Sequence, residues 1–415
     1  MLSTRRLRLA AGLAVATLVA IAAASAGTSA TKQGTTVRIW ADADRTPAVT
    51  QVANAWAAAK GVQVEVVQKN FGDIRSQLTT VAAETAPDVI VGAHDWIGEL
   101  SANGSILPLT MAAATKKQFP AYALNAFSYG TAVKKLYATP VALENIALLT
   151  NTKLAPVPKT FAELEKNALD VKKKQKAQVG LAVQQGAAGD AYHMYPFFSG
   201  LGGYIFGQNK AGNLDPSDIG VANPKFLKNA ALIDKWNKEG LLRSQVAWDT
   251  ARDLFTKGKV AYYITGPWFV SDVKKAGIKY KISAFPQIVP GIKPVPFLGA
   301  QGFMVTKFAA AHGVESLAKD LVASYMARPA SQLALAAANG RFPANVVAGK
   351  QVKDPDLKAF GAASAGGVPM PNIPQMASVW GDLGAAWVRS TKGAGAIPAR
   401  KSFIGAQKSI AQKIG

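Results

Sequence analysis

The sequence predicts an α/β fold with more than one unit, on three observations. At 415 residues the chain is long for one compact core, and ordinary domain sizes divide it into about two to three units. A hydrophobic content of 49% beside 17% charged residues excludes wholesale disorder. Apolar residues at strand spacing then alternate with apolar residues at helical spacing, the order of a parallel sheet covered by helices.

The first thirty residues stand apart. Arg5, Arg6 and Arg8 precede an apolar stretch over 9–24, and the small residues Ala24-Ser25-Ala26 follow it. That pattern predicts a secretory signal peptide over 1–30, since so short an Ala-rich stretch suits cleavage better than spanning. The protein is therefore expected outside the cytoplasmic membrane, in a periplasm or at the exterior of the cell envelope.

Beyond the leader, Val37 and Ile39 alternate in a strand over 35–40. Thr46-Pro47 opens a helix with Val49, Val52, Ala53 and Trp56 on one face, and Gly61 stops it. Val62, Val64 and Val66 form a second strand, followed by a helix over 73–84, a third strand over 88–91 and another helix from Asp95. This βαβαβ run predicts a parallel sheet. A second α/β unit begins near Asn145. Thr160 and Glu163 make a capping box for a helix to about Lys174. Strands over 179–184 and 260–264, a helix around 232–238 and the turn Gly266-Pro267-Trp268 follow.

Composition removes several chemistries. The chain has no cysteine, so disulfides, thiolate metal sites, Cys nucleophiles and a lipid-bearing Cys are all excluded. Of its three histidines, His94, His193 and His312, none has a partner at zinc spacing, and Asp42-Ala43-Asp44 lacks the later ligands of a calcium loop. No G-x-S-x-G elbow is present, and Gly200, Gly202 and Gly203 lack phosphate-loop spacing. Neither a metal nor a cofactor is expected. The net charge is +22, and removing the leader's three cations leaves 44 basic residues against 25 acidic ones. These are scattered rather than interleaved with aromatics, which argues for a solvated surface and against nucleic acid, with an anionic membrane or wall surface as the secondary reading.

In α/β sheets ligands sit beyond the carboxyl ends of the strands. Two polar clusters fall there, Asp44-Arg45 and His94-Asp95-Trp96. Acids and an Arg exchange hydrogen bonds with hydroxyls, while Trp and Tyr rings cover the C–H faces of a pyranose, so carbohydrate needs both kinds of surface. A glycan-processing enzyme using paired carboxylates among Asp44, Asp95, Glu144 and Asp190 is the competing reading.

Residues 40–45, the segment 86–100 with its AHDWIGEL, residues 140–151, Gly266-Pro267-Trp268 and the MPNIPQM run from Met370 to Trp380 resemble the maltose/maltodextrin-binding proteins of bacterial ABC importers. The resemblance covers essentially the whole chain after the leader. It implies a two-lobed periplasmic-binding-protein-like fold, each lobe a mostly parallel sheet flanked by helices, with a hinge near Glu144, Gly299 to Gly302 and Lys350 to Asp354. The corresponding segments are 31–143 and 300–351 for the N-lobe, and 144–299 and 352–415 for the C-lobe.

It also implies a monomeric, non-catalytic protein that binds a maltodextrin-type oligosaccharide and hands it to the importer's membrane permease. Another sugar such as trehalose or cyclodextrin is the alternative ligand. Asp44 and Arg45 match an Asp-Lys pair that binds hydroxyls, Asp95 a hydroxyl-binding Asp, and Glu144 the acid beside the hinge. Asp190 and Tyr192 match an acid and a stacking ring, Trp268 and Trp380 the two principal rings, and Met370 a lining residue. Three positions depart from the family. Gly92 stands where a stacking Trp is usual, Trp96 where an Arg follows the Asp, and His193 where a Phe is found. These departures predict a displaced aromatic platform with Trp96 covering a sugar face, and His94 as a structural neighbour.

Overall fold

In a computed structural model the chain is described over residues 34–130, 133–210, 212–337 and 340–415, and the expected signal peptide lies outside them. β1 (Thr36–Asp42) runs two residues further than the alternation of Val37 and Ile39 predicts, so its end carries Asp42. The helix Thr46–Lys60 follows with Pro47 in its first turn. Gly61, at φ 66°, ends it by donating its N–H to Ala57. Val49, Val52, Ala53 and Trp56 form its buried face, as expected. β2 (Gln63–Lys69) lies parallel to β1.

The helix expected over 73–84 is shorter and earlier, Phe71–Leu78. Thr79 and Thr80 turn their hydroxyls back onto the Ser76 and Gln77 carbonyls. Three β-branched residues in succession, Thr79 to Val81, thus offer the backbone a local alternative to another helical turn. β3 (Val89–Ala93) is parallel to β1 and ends in one 3₁₀ turn, His94–Trp96, before the helix Ile97–Ala102. The helix expected from Asp95 therefore begins two residues later than its sequence signal.

A short hairpin, β4 (Ser128–Tyr129) with β5 (Lys135–Leu136), leads into β6 (Ala138–Asn145). Ile146 alone separates β6 from β7 (Ala147–Asn151). Half of the predicted capping box forms: the Glu163 N–H donates to Thr160 Oγ1 at 3.2 Å and opens the helix Phe161–Lys173, while the Glu163 carboxylate accepts from the Lys159 N–H at 2.8 Å. β8 (Val179–Val183), the hairpin β9 (Phe206–Gln208) with β10 (Leu214–Ile219), β11 (Val260–Thr265) and β12 (Tyr280–Ser283) follow. The remaining strands are β13 (Phe297–Val305), β14 (Phe342–Pro343) and β15 (Val368–Pro369).

Two larger sheets result. One has the order β14-β6-β13-β3-β1-β2 with β15 beside β13, the other β12-β7-β11-β8. The expectation of mostly parallel sheets is corrected here. β1, β2 and β3 are parallel, but β13 is antiparallel to both β3 and β6, and β14 to β6. In the smaller sheet only β11 and β8 are parallel, while β7 is antiparallel to β11 and β12. The strands that connect the sheets explain this. β6 leaves the larger sheet at the end where β13 enters it, Asn145 facing Leu298, so these neighbours must run in opposite senses.

The convergence at that end positions the site. Ala93 pairs with Gln301, Glu144 with Gly299, and β15 adds to the first residues of β13. A Cβ at Gly299 would stand 2.8 Å from Glu144 Cγ, so glycine there leaves the carboxylate its place. The helices Ala377–Thr391 and Ala399–Ile414 pack on one another and on Ala231–Glu239, with Trp236 and Trp387 fully buried.

Candidate functional site

The residues at the ends of β1, β3, β6, β8 and β11 line one cavity of about 860 Å³. All eleven residues singled out from the sequence lie on its wall: Asp44, Arg45, Asp95, Trp96, Glu144, Asp190, Tyr192, His193, Trp268, Met370 and Trp380. They come from both sheets and from the helices that follow them.

Most of its charges are held by neighbours. Glu144 accepts from Gln301 Nε2 at 2.8 Å and is ion-paired with Arg341, both side chains buried. Burial alone would raise its pKa, but the Arg341 and Arg45 guanidiniums and these hydrogen bonds hold it below the ordinary value. Asp190 accepts from Gln184 Nε2 at 2.7 Å, the His193 N–H at 2.9 Å and His193 Nδ1 at 2.8 Å. Burial again opposes ionisation, and His193 with these bonds wins, so its pKa is lowered. Arg45 is ion-paired with Asp42 and lies 5.0 Å from the centre of the Phe71 ring. Asp44 is exposed at the mouth, without a partner among the described residues.

Rings alternate with these groups. Tyr192 stacks on Phe297 with centroids 6.2 Å apart, and Trp380 meets the same Phe297 edge-on at 5.8 Å. Trp268 stands 6.5 Å from Tyr192, with the Arg341 guanidinium 5.2 Å from its ring centre. Gly266 is what lets this ring fold back, because a Cβ there would clash with it.

A family model described as bacterial extracellular solute-binding protein matches residues 51–359. The chain belongs to this family.

Among its relatives, the galactooligosaccharide-binding protein of Bacillus subtilis (strain 168) is 29% identical over 370 residues, 86% of this chain and 84% of its own length. A maltodextrin-binding protein of the same strain is 29% identical over 333 residues, 77% of this chain and 76% of its own. A maltooligosaccharide ABC transporter solute-binding lipoprotein of Streptococcus pneumoniae (strain ATCC BAA-255 / R6) is 26% identical over 374 residues, 86% and 83% respectively. These relatives are named for binding rather than catalysis, and the family is extracytoplasmic. No described helix is long and apolar enough to cross a membrane, and no group of three His, Asp or Glu among the described residues suits a metal ion.

For a solute binder, the informative atoms are those the protein leaves unsatisfied. Gln184, Tyr192, His193, Gln301 and Arg341 line this cavity, and each also carries a buried polar atom, Oε1, Oη, Nε2, Oε1 and Nη1 respectively, without a hydrogen-bond partner among the described residues. Buried polar groups without partners are costly, and five of them belong to residues of this one wall. The Tyr192 hydroxyl is pushed well above its ordinary pKa by burial and then by Glu144, so it remains a neutral donor.

His94 is a structural residue, as read from the sequence. Its Nδ1 accepts the Ala300 N–H at 3.1 Å and its Nε2 donates to the Met370 carbonyl at 3.0 Å, which fixes a neutral tautomer that burial favours. It thereby ties β3, β13 and the Met370 loop together. Trp96 also lines the cavity; it is 6% exposed, its ring lying over Gly92 and 4.9 Å from Phe71. A Cβ at Gly92 would stand 2.5 Å from Trp96 Cε3. The Trp96 ring thus occupies the space that a side chain at 92 would enter.

Neither Asp44 nor Asp95 caps a helix through its side chain. Sequence reading missed Phe71, Arg75, Gln184, Trp248, Gln301 and Arg341, which also line the cavity. Trp248 is 44% exposed at the start of the helix Trp248–Thr256, with the Arg252 guanidinium 4.3 Å from its ring centre. An exposed Trp beside a helix start was its only signal. Arg341 had none.

Proposed function

We propose that this protein captures maltodextrin-type α-glucan oligosaccharides in the 860 Å³ cleft and delivers them to the membrane permease of an ABC importer. The observation that carries the reading is the meeting, in one cavity, of three partly exposed rings with acids, amides and guanidiniums. Hydroxyl-rich, ring-shaped, uncharged ligands need that combination, and relatives named for maltodextrin and maltooligosaccharide bring the α-glucan class.

In this reading Asp44, Asp95 and Asp190 accept from sugar hydroxyls, and Arg45, Tyr192, His193 and Arg341 complete the polar grip. Trp268, Trp380 and Tyr192 supply stacking faces, and Met370 an apolar wall. The two sheets are the cores of two lobes, and the β6–β7 step at Ile146, the stretch leading into β13 and the segment 350–354 form the hinge. Binding energy shared between lobes favours closure, because only the closed form lets both touch one sugar. The carboxylates of Glu144 and Asp190 are already engaged with Arg341 and with His193 and Gln184, which favours binding over acid–base chemistry.

A second reading keeps the cleft and changes the linkage, since one relative of high coverage is named for galactooligosaccharides. Calorimetric titration with maltose, maltotriose, longer dextrins, cyclodextrin, trehalose and a β-galactooligosaccharide separates the two. Saturable one-to-one binding of linear α-glucans supports the first reading. Preference for the galactooligosaccharide transfers the assignment to the second, and release of reducing ends from a dextrin during incubation removes both.

A further inference from the structure

We propose that the outer face of the helix Ala399–Ile414 is a docking surface for anionic phospholipid headgroups, by which the protein rests on a bilayer whether or not sugar is bound. Ser402, Phe403, Ala406 and Ile410 form the buried side of this helix. Arg400, Lys401, Ile404 and Lys408 are exposed on the other side. At about 100° per residue these four fall within roughly 100° of arc, a single stripe along the helix. None of the three cations is in an ion pair among the described residues, whereas Lys413, off the stripe, is paired with Asp382. After Asp382 the chain has no acidic residue at all, but six basic ones.

A neighbouring helix packs against the buried side of this one. Phe226, in the helix Pro224–Asn229, packs on Phe403 with centroids 4.6 Å apart, and the Ala222 N–H donates to Gln407 Oε1 at 2.6 Å. Lys225 and Lys228 of that helix are exposed. Acids lie on neighbouring elements and keep their charge while accepting hydrogen bonds, Asp234 from the Ala399 N–H and, on β10, Asp218 from Tyr204 and Asp215 from Ser217.

A merely solvated face mixes both signs, and the stripe on this helix carries a single sign. The charge complement is therefore an anionic surface, to which the net +22 of the chain adds longer-range attraction. Among anionic partners, the stripe fits lipid. It shows no exposed aromatic for stacking on bases, and Ile404, 45% exposed, stands among the cations where an apolar side chain dips below a phosphate layer.

The test is co-sedimentation of the full chain with vesicles of phosphatidylglycerol in phosphatidylcholine, and with phosphatidylcholine alone. Each cation held at such a surface is worth roughly a fivefold gain in partitioning. The combined substitution Arg400→Glu, Lys401→Glu, Lys408→Glu should then weaken capture by roughly 100-fold or more. A control of equal net charge, Lys116→Glu, Lys117→Glu, Lys159→Glu, alters exposed lysines on other elements and should lose far less. Capture should vanish in about 0.5 M salt, where screening is nearly complete. Sugar titration should be unchanged in both variants, which separates this proposal from the cleft assignment. A neutral version, Arg400→Gln, Lys401→Gln, Lys408→Gln, reads the same surface if charge reversal disturbs folding. Equal losses in patch and control variants, equal capture by phosphatidylcholine, or no capture by anionic vesicles overturns the proposal.

Discussion

The Trp380 indole donates a hydrogen bond to Asp95 Oδ2 at 3.0 Å, joining the end of β3 to the helix Ala377–Thr391 across the cleft floor. The bond gives Trp380 a fixed ring plane and leaves Asp95 with unused acceptor positions facing the cavity. Burial nevertheless raises the Asp95 pKa, its neighbours His94 and Arg75 and the Trp380 bond compensating only in part.

Asp95→Asn should therefore separate stability from binding. A group whose folded pKa is raised adds stability below its unfolded pKa and loses it as pH rises through the folded value. At pH 7 the variant, whose amide oxygen still accepts from Trp380, should be at least as stable as the parent, the difference fading in acid. Its sugar affinity should fall by about 1.5–3 kcal/mol. Denaturant midpoints at pH 7 and pH 4 check the first part and calorimetry the second. A less stable variant at pH 7 contradicts the cause assigned to the shift.

Glu144 has the opposite sign. Its depressed folded pKa contributes stability above the unfolded value of about 4.3 that is lost as pH falls through the folded one. Glu144→Gln strands the buried Arg341 cation and should cost about 3–5 kcal/mol. Adding Arg341→Met should recover part of that, because the stranded charge is gone. Unfolding curves of the two single variants and the double show whether the costs simply add, which would deny the coupling.

Gly92→Ala places a methyl against the Trp96 ring, with Met304 Cε 3.0 Å behind it. Repacking of this kind costs about 1–3 kcal/mol. A shift of tryptophan emission should accompany the loss. Unchanged stability and emission would mean that the ring has room to spare.

Trp268→Ala should leave the fold intact, since the ring is partly exposed and seated on a glycine, while weakening oligosaccharide binding by about 2 kcal/mol or more. Circular dichroism and titration of the same sample decide it, and loss of the fold would make the ring core.

Much of this site was legible because polar residues directly after apolar strand runs mark the carboxyl edge of a sheet. Asp44-Arg45 after β1, His94-Asp95-Trp96 after β3 and Gly266-Pro267-Trp268 after β11 all carry that signal. Strand direction was not legible, because period two is the same in parallel and antiparallel neighbours; only the path β6–β7 and the return through β13 fix it. Arg341 was invisible for a similar reason. Its partner Glu144 lies 197 positions away, and no local pattern in Gly340-Arg341-Phe342-Pro343 points there. The helix at 73–84 failed on a local rule, the β-branched run at its end, which outweighed the apolar periodicity.

The most direct test of the cleft assignment is a crystal structure of the protein with maltotriose. The expected result is one sugar chain in the cavity, pyranose faces against Trp268 and Trp380, with hydroxyls bonded to Asp95 after β3 and to Asp190 or His193 after β8 of the other sheet. A ligand bound elsewhere, or held by residues of only one sheet, would contradict the account.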